Sequence, residues 1–229
     1  AKRREKGRRT ARENLADLLD EGSFQEYGGF GVAAQRQRRS EEDLIANTPA
    51  DGLICGTGTV NAGLVEDGRA NVLAMSYDYT VLAGTQAYVN HNKTDPGNAA
   101  LLGCCDVVIA TEDSNIGMAG PAMIEGGGLG VVAPTEIGPI GVQSKNGVVD
   151  VRVADDVEAV AIAKQYLSYF QGSQTSWQEP DVVSLADVVP VERVRVYEVR
   201  RAIEGIADRG SVLELRREFG IGVVTSLAR

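Results

Sequence analysis

Apolar positions recur along this chain in two periods, and each change of period predicts a new element. Thr10-Ala-Arg-Glu13 has the Ser/Thr-x-x-Glu form of a capping box, and Leu15, Leu18 and Leu19 follow at helical spacing. The pattern predicts a helix that Gly22 ends. Residues 24–32 are broken by glycines and read as extended, and residues 43–49 read as a short helix or loop. Residues 53–60 and 70–79 read as strands, and the turn signal Glu66-Asp-Gly-Arg69 between them predicts a hairpin. Residues 75–81 mix Tyr, Val and Thr in the manner of a buried strand.

Further along, Gly97-Asn-Ala-Ala-Leu-Leu-Gly103 is a helix-like run of small residues. The unbroken apolar run Asp106-Val-Val-Ile-Ala110 predicts a strand covered on both faces. Residues 155–170 form an amphipathic helical pattern through Val157, Val160, Ala161, Lys164, Leu167 and Tyr169. Residues 172–179 are polar, carry Trp177, and read as a linker, so a domain boundary is expected near 172–190. Residues 191–208 read as a helix and 211–228 as extended. Short apolar strands alternating with helices predict an α/β layered core.

Composition narrows the function classes. The 229 residues hold 23 Lys and Arg against 32 Asp and Glu, a net charge of -9, with one His and three Cys. A single His makes His-based triads and His-rich metal sites improbable, and no metal site is expected. An odd Cys count with no paired spacing argues against a disulfide framework and for a reducing, cytoplasmic setting. No apolar run approaches the roughly 20 residues of a membrane span, and no secretory signal is visible. Charge is uneven: Lys2, Arg3, Arg4, Lys6, Arg8, Arg9 and Arg12 crowd the start beside Glu5 alone, on an otherwise acidic chain. An acidic body repels nucleic acid, so a small polyanion such as coenzyme A suits that patch better.

Few motifs carry side-chain chemistry. Gly126-Gly-Gly128 with Gly130 lacks the Lys-Ser/Thr of a phosphate loop and reads as a loop where backbone passes closely. Cys104, Cys105 and Cys55 read as small buried hydrophobes. His91 sits among polar residues and supports no triad. Glu112-Asp113 and Asp155-Asp156 read as turns or helix starts. What remains is catalysis by backbone: Gly97-Asn98-Ala99 at a strand-to-helix turn could present main-chain N–H groups to a ligand oxygen.

Taken in order, several segments resemble one family. They are residues 10–20 with Gly22-Ser-Phe24, Asp51-Gly52 before Gly56-Thr-Gly58, residues 77–85, Gly97-Asn-Ala-Ala-Leu-Leu-Gly103, Gly117-Met-Ala-Gly-Pro-Ala-Met-Ile-Glu125, Tyr197-Glu-Val-Arg200 and residues 210–215. Together they resemble the carboxyltransferase component of biotin-dependent acyl-CoA carboxylases, a branch of the crotonase superfamily. The resemblance is nearest to bacterial long-chain or multi-substrate carboxylases. It implies an α/β, crotonase-like fold of ββα repeats, with residues 1–180 as the N-terminal carboxyltransferase half and 181–229 opening the C-terminal half. The implied reaction moves a carboxyl group from carboxybiotin to the α-carbon of an acyl-CoA. A biotin-dependent acyl-CoA decarboxylase component, or a non-catalytic assembly subunit, is the alternative.

By the same resemblance, Gly97 and Asn98 form the oxyanion turn, Gly120, Pro121 and Ala122 line the acyl-CoA and biotin canyon, and Arg8 and Arg12 meet the coenzyme A phosphates. Biotin rides on a carrier protein or domain, and ATP and Mg serve a partner biotin carboxylase. A homo-oligomer is implied, a dimer or trimer of dimers, with neither nucleic acid nor membrane as partner. Two departures stand out. Asp95 runs directly into Pro96-Gly97, where the family holds a long segment with strands, a helix and a Gly-rich stretch. The chain also stops at Arg229, just inside the second half. Against the family pattern, the two departures imply joined pieces of a longer chain, the alternative being a fragment that cannot catalyse alone.

Overall fold

In the computed structural model the described residues are 2–5, 7–66, 68–84, 89, 98–192 and 194–229. The chain packs as two compact units, residues 1–105 and 106–229. The boundary expected near 172–190 falls inside the second unit, where residues 172–181 carry no regular element.

The first unit opens with helices α1 (Lys2–Glu5) and α2 (Ala11–Leu18). The capping box forms as the sequence predicts. The Glu13 N–H donates to Thr10 Oγ1 at 3.2 Å, and the Thr10 N–H donates to Glu13 Oε2 at 2.7 Å. Leu15 and Leu19 turn inward and are buried. Next come β1 (Gln25–Tyr27), α3 (Glu41–Asn47), β2 (Leu53–Thr59), β3 (Asn71–Tyr77) and α4 (Asn98–Gly103). The strands form an antiparallel sheet in the order β1-β2-β3, with Tyr27 opposite Cys55 and Leu53 opposite Tyr77. The predicted hairpin is therefore β2–β3. β3 stops at Tyr77, short of the expected run to 81. The Asp78 carboxylate accepts the Thr80 N–H at 2.9 Å, and Val81 N–H bonds back to Asp78, so the chain turns there.

The core of this unit centres on Leu44, Leu53, Ile54 and Val60, each at most 2% exposed. Buried Thr48 links the elements around it, accepting the Ala33 N–H at 3.1 Å and donating to the Leu44 carbonyl at 2.6 Å. The chain enters β2 through Ala50 and Asp51, both at positive φ, a conformation that costs a non-glycine residue about 1–2 kcal/mol.

The second unit contains β4 (Ile109–Thr111), α5 (Pro121–Gly126), α6 (Ile140–Gln143), β5 (Val151–Val153), α7 (Asp156–Ser168), α8 (Val199–Ile206), β6 (Leu213–Leu215) and β7 (Thr225–Leu227). β4 and β5 pair in parallel, and β6 and β7 antiparallel. Asp155 caps α7, accepting the N–H groups of Val157 and Glu158 at 2.9 Å each. α8 is shorter than the helix expected over 191–208. Val191, Val194 and Val196 precede it in non-helical, almost fully exposed positions. β-Branched side chains at that density disfavour helix, and the Glu198 carboxylate starts it by accepting the Arg200 N–H at 3.2 Å. No helix among the described residues is long and apolar enough to cross a membrane.

The capping box makes a pH prediction. Hydrogen bonds from the Thr10 backbone and side chain, then Arg4, hold the Glu13 carboxyl at about 2, below the ordinary 4.5. A depressed carboxylate stabilises the folded form above its unfolded pKa and loses that contribution as pH falls. The α2 start is therefore expected to loosen between about pH 4.5 and 2. Thr10→Ala should move the Glu13 titration, followed by NMR, back upward, with a helix cost of about 1 kcal/mol.

Candidate functional site

The segments singled out for chemistry fall in different parts of the two units. Gly97 lies outside the described residues, as does His91. Asn98 opens α4, so its backbone stands at a helix start, where the first N–H groups lack intrahelical acceptors.

Gly120-Pro-Ala122 forms the start of α5. Gly120 is the N-cap in an extended conformation, no side chain caps the helix, and Pro121 takes the first helical position with its φ already suited to it. Gly120 and Ala122 are exposed, and Met118, Met123, Leu129 and Val131 around them in sequence are 69–84% exposed. Apolar side chains this open form a shelf rather than a core. The base of the loop is fixed instead. Ile116 N–H donates to the Gly138 carbonyl at 2.8 Å, Asn115 bridges to Pro139, and the Gln143 amide donates to the Ile116 carbonyl. Within the Gly126–Gly130 run the close backbone approach read from sequence holds at Gly127 alone, where a Cβ would lie 3.3 Å from the Met123 carbonyl oxygen; at Gly126, Gly128 or Gly130 it would meet nothing within 4 Å.

The basic start is largely engaged by its own unit. Arg12 clasps Glu26 through two hydrogen bonds of 2.8 and 3.0 Å, which with the Glu26 charge raise the guanidinium above its usual range. Arg9 pairs with Asp17 at 2.9 Å and Arg4 with Glu13 at 2.7 Å. Arg8 is exposed. Arg12 also stands at the rim of a depression of about 550 Å³ floored by Leu15, Leu19 and Phe24. A phosphate reaching Arg12 has to exchange with the Glu26 carboxylate.

A second cavity, of about 340 Å³, lies in the other unit among Asp150, Arg152, Arg200, Glu214 and Arg217. Sequence reasoning missed it, because its residues are far apart in the chain. Arg200 grips Glu214 with bonds of 2.9 and 2.6 Å and holds that carboxyl below its usual range. Asp150 accepts from Arg216 at 2.7 Å and from the Val108 N–H at 2.9 Å. Arg152 lies 3.5 Å from both Glu112 and Glu218. Each of these carboxylates faces an arginine, so the network reads as structural, tying the strand starts to the segment after β6. Asp150→Asn is expected to cost about 2 kcal/mol, read as a fall in Tm, because a charge-assisted bond and a backbone bond are weakened together.

The other candidates resolve simply. Asp155 is a helix cap, as read from sequence. Cys55 is buried, but Cys104 and Cys105 are exposed rather than small core residues. The chain from Gly103 to Asp106, ahead of β4, is exposed.

Residues 2–100 and 93–229 match the carboxyl transferase domain. The chain belongs to that family. It is 27% identical to the methylmalonyl-CoA carboxyltransferase 12S subunit of Propionibacterium freudenreichii over 300 aligned positions, which cover 100% of this chain and 55% of the relative. It is 24% identical to the propionyl-CoA carboxylase beta chain of Roseobacter denitrificans, covering 98% of this chain and 56% of the relative. The chain thus spans about half the length of these curated relatives. Among solved structures, a single-chain, multi-domain long-chain acyl-CoA carboxylase superposes with a TM-score of 0.95 at 50% identity, over 100% of this chain and 29% of that one. The transcarboxylase 12S crystal structure superposes with a TM-score of 0.75 at 22% identity, over 100% of this chain and 57% of its own, and shares the fold. The crotonase-like carboxyltransferase fold expected from sequence is thereby established.

Proposed function

We propose that this chain is part of a carboxyltransferase that moves a carboxyl group from carboxybiotin to the α-carbon of an acyl-CoA. The observation that carries the proposal is the likeness to a long-chain acyl-CoA carboxylase along all 229 residues at 50% identity. Biotin, when bound, supplies the carboxyl group and the base for the α-proton, which suits a chain with one His. The surroundings of α5 fit such a group: Pro121 has no N–H and the Met123 N–H bonds to the Gly120 carbonyl, so the Ala122 N–H is the donor the uncapped helix start offers, and Met118, Met123 and Leu129 offer apolar surface for a flat ring or an acyl chain.

In this reading the chain's own contribution is position and dipoles. Backbone N–H groups of Gly97 and Asn98 hold the thioester oxygen as it gains negative charge. Gly120, Pro121 and Ala122 line the canyon. Arg8 and Arg12 take the coenzyme A phosphates, Arg12 by trading Glu26 for phosphate. Residues 181–229 open the C-terminal half. The partners are a biotin carboxyl carrier and a biotin carboxylase that uses ATP and Mg, in a cytoplasmic homo-oligomer. Two supports for that setting are the three free thiols and the hexamer assembly described for the transcarboxylase 12S structure.

The test is a carboxylation assay of the full-length protein with its carrier and carboxylase, across acyl-CoA chain lengths. The expected result is acyl-CoA-dependent formation of a malonyl-CoA-type product. Binding of acyl-CoA with no product, carboxybiotin being present, would overturn the proposal.

A further inference from the structure

The cavity of about 340 Å³ in the second unit has the size of a small-molecule site, in which a largely apolar wall meets a few placed polar groups. Both parts are present. Val149, Val151, Ile203, Val212 and Val224 form an aliphatic side. Arg152, Arg200 and Arg217 face Asp150, Glu204, Glu214 and Glu218 on the charged side. No described residue on the wall is aromatic, so the cavity offers no stacking face to a flat ring.

The charged groups differ in how firmly they are held. Glu214 is saturated by two bonds from Arg200, at 2.9 and 2.6 Å. Asp150 is saturated by Arg216 at 2.7 Å and the Val108 N–H at 2.9 Å. The others are loose. Arg152 stands 3.5 Å from both Glu112 and Glu218, and Arg217 stands 3.7 Å from Glu214. These separations exceed the roughly 3.2 Å of a well-formed N–H···O bond. The Glu204 carboxylate is exposed and makes no hydrogen bond or ion pair among the described residues. Arg152 and Arg217 on one side of the charge balance, and Glu204 and Glu218 on the other, are thus left to meet a ligand.

That balance of sign selects the ligand. A simple anion would meet Glu204 and Glu218 as like charges, and a simple cation would meet the two arginines. A zwitterion whose charges lie a few bonds apart satisfies both sets at once. The aliphatic side sets its third group. Volume sets its size: at about 30 Å³ per water the cavity would hold about eleven waters, or a ligand of about as many non-hydrogen atoms.

We propose that this cavity binds an aliphatic α-amino acid of the size of leucine. Arg152 and Arg217 take its carboxylate, Glu204 and Glu218 take its ammonium group, and the valines with Ile203 take its side chain. Arg200 and Glu204 lie one turn apart on α8, so the ligand sits beside the Arg200–Glu214 clasp. It thereby ties α8 to β5 and to the segment after β6. The inference is independent of the carboxyl-transfer reading, and its readout uses no activity.

The experiment is calorimetric titration of the full-length protein with L-leucine and three analogues. 4-Methylpentanoate lacks the ammonium group, 3-methylbutylamine lacks the carboxylate, and glycine lacks the aliphatic side chain. Leucine is expected to bind with a Kd between about 10 μM and 1 mM, and each analogue at least about tenfold more weakly. Glu204→Gln and Arg217→Gln, both at exposed positions, are each expected to weaken leucine binding by about tenfold or more while melting with the parent. Absence of leucine binding would overturn the proposal. So would any analogue that binds as tightly as leucine, since the site would then ignore one of the three groups. Leucine binding that survives both substitutions would place the ligand elsewhere and overturn it too.

Discussion

Replacing Gly138 by valine is expected to open the loop from Gly117 to Gly138 and lower the Tm of the second unit by at least about 10 °C. Gly138 sits at φ +57°, and a Cβ there would lie 1.8 Å from the Ile116 carbonyl oxygen. No rotamer relieves a backbone clash, so the two strands of the loop base must part. Three losses then add. The left-handed conformation costs a β-branched residue about 1–2 kcal/mol or more. The Ile116 N–H loses its 2.8 Å bond to the Gly138 carbonyl, and the Gln143 amide loses the Ile116 carbonyl. Each bond is worth about 1 kcal/mol. The sum, about 3–4 kcal/mol, is a large part of the 5–15 kcal/mol that holds a domain together. Gly141 on α6 is the control: its Cβ would meet nothing within 4 Å, so Gly141→Ala should leave Tm level or raise it. Thermal melts of the three proteins decide the matter. Equal melting of Gly138→Val and the parent would show that the loop base does not carry the stability assigned to it.

What the sequence made legible was local. The Thr10–Glu13 box, the β2–β3 pairing and the Asp155 cap each depend on residues close in the chain, and each forms. Errors came where the outcome depends on distant cover. Cys104 and Cys105 adjoin an apolar strand and read as core, yet they are exposed, because burial is conferred by neighbouring strands rather than by the run itself. Val191, Val194 and Val196 mimic a helical face, but the β-branched side chains keep that segment out of helix. Arg12 looked available for phosphate because Glu26 is fourteen residues away in sequence and across the turn into β1. For the candidate site, Gly120-Pro-Ala122 carries no signal of its own beyond a proline placed for a helix start. Its meaning came from the family pattern.

Gly97→Pro should lower the carboxyl-transfer rate of the full-length protein by 10²–10³-fold, the usual loss on removing one oxyanion donor. The chain has a single His, and the cations of Arg12, Arg200 and Arg216 are already paired with Glu26, Glu214 and Asp150. Backbone N–H groups remain, and those free of intrahelical partners cluster at helix starts. Asn98 begins α4, so its N–H stands at such a start. Proline at 97 deletes one donor and no side chain. Gly97→Ala keeps the donor, so it should retain most of the turnover while controlling for added bulk. Both variants should melt with the parent, because the loss is to charge stabilisation rather than packing. KM for acyl-CoA should change little, since the missing bond strengthens chiefly as the oxygen becomes anionic. Unchanged turnover in Gly97→Pro would remove Gly97 from the oxyanion turn. Loss in Gly97→Ala as deep as in Gly97→Pro would mean that space, not the N–H, is what the position supplies.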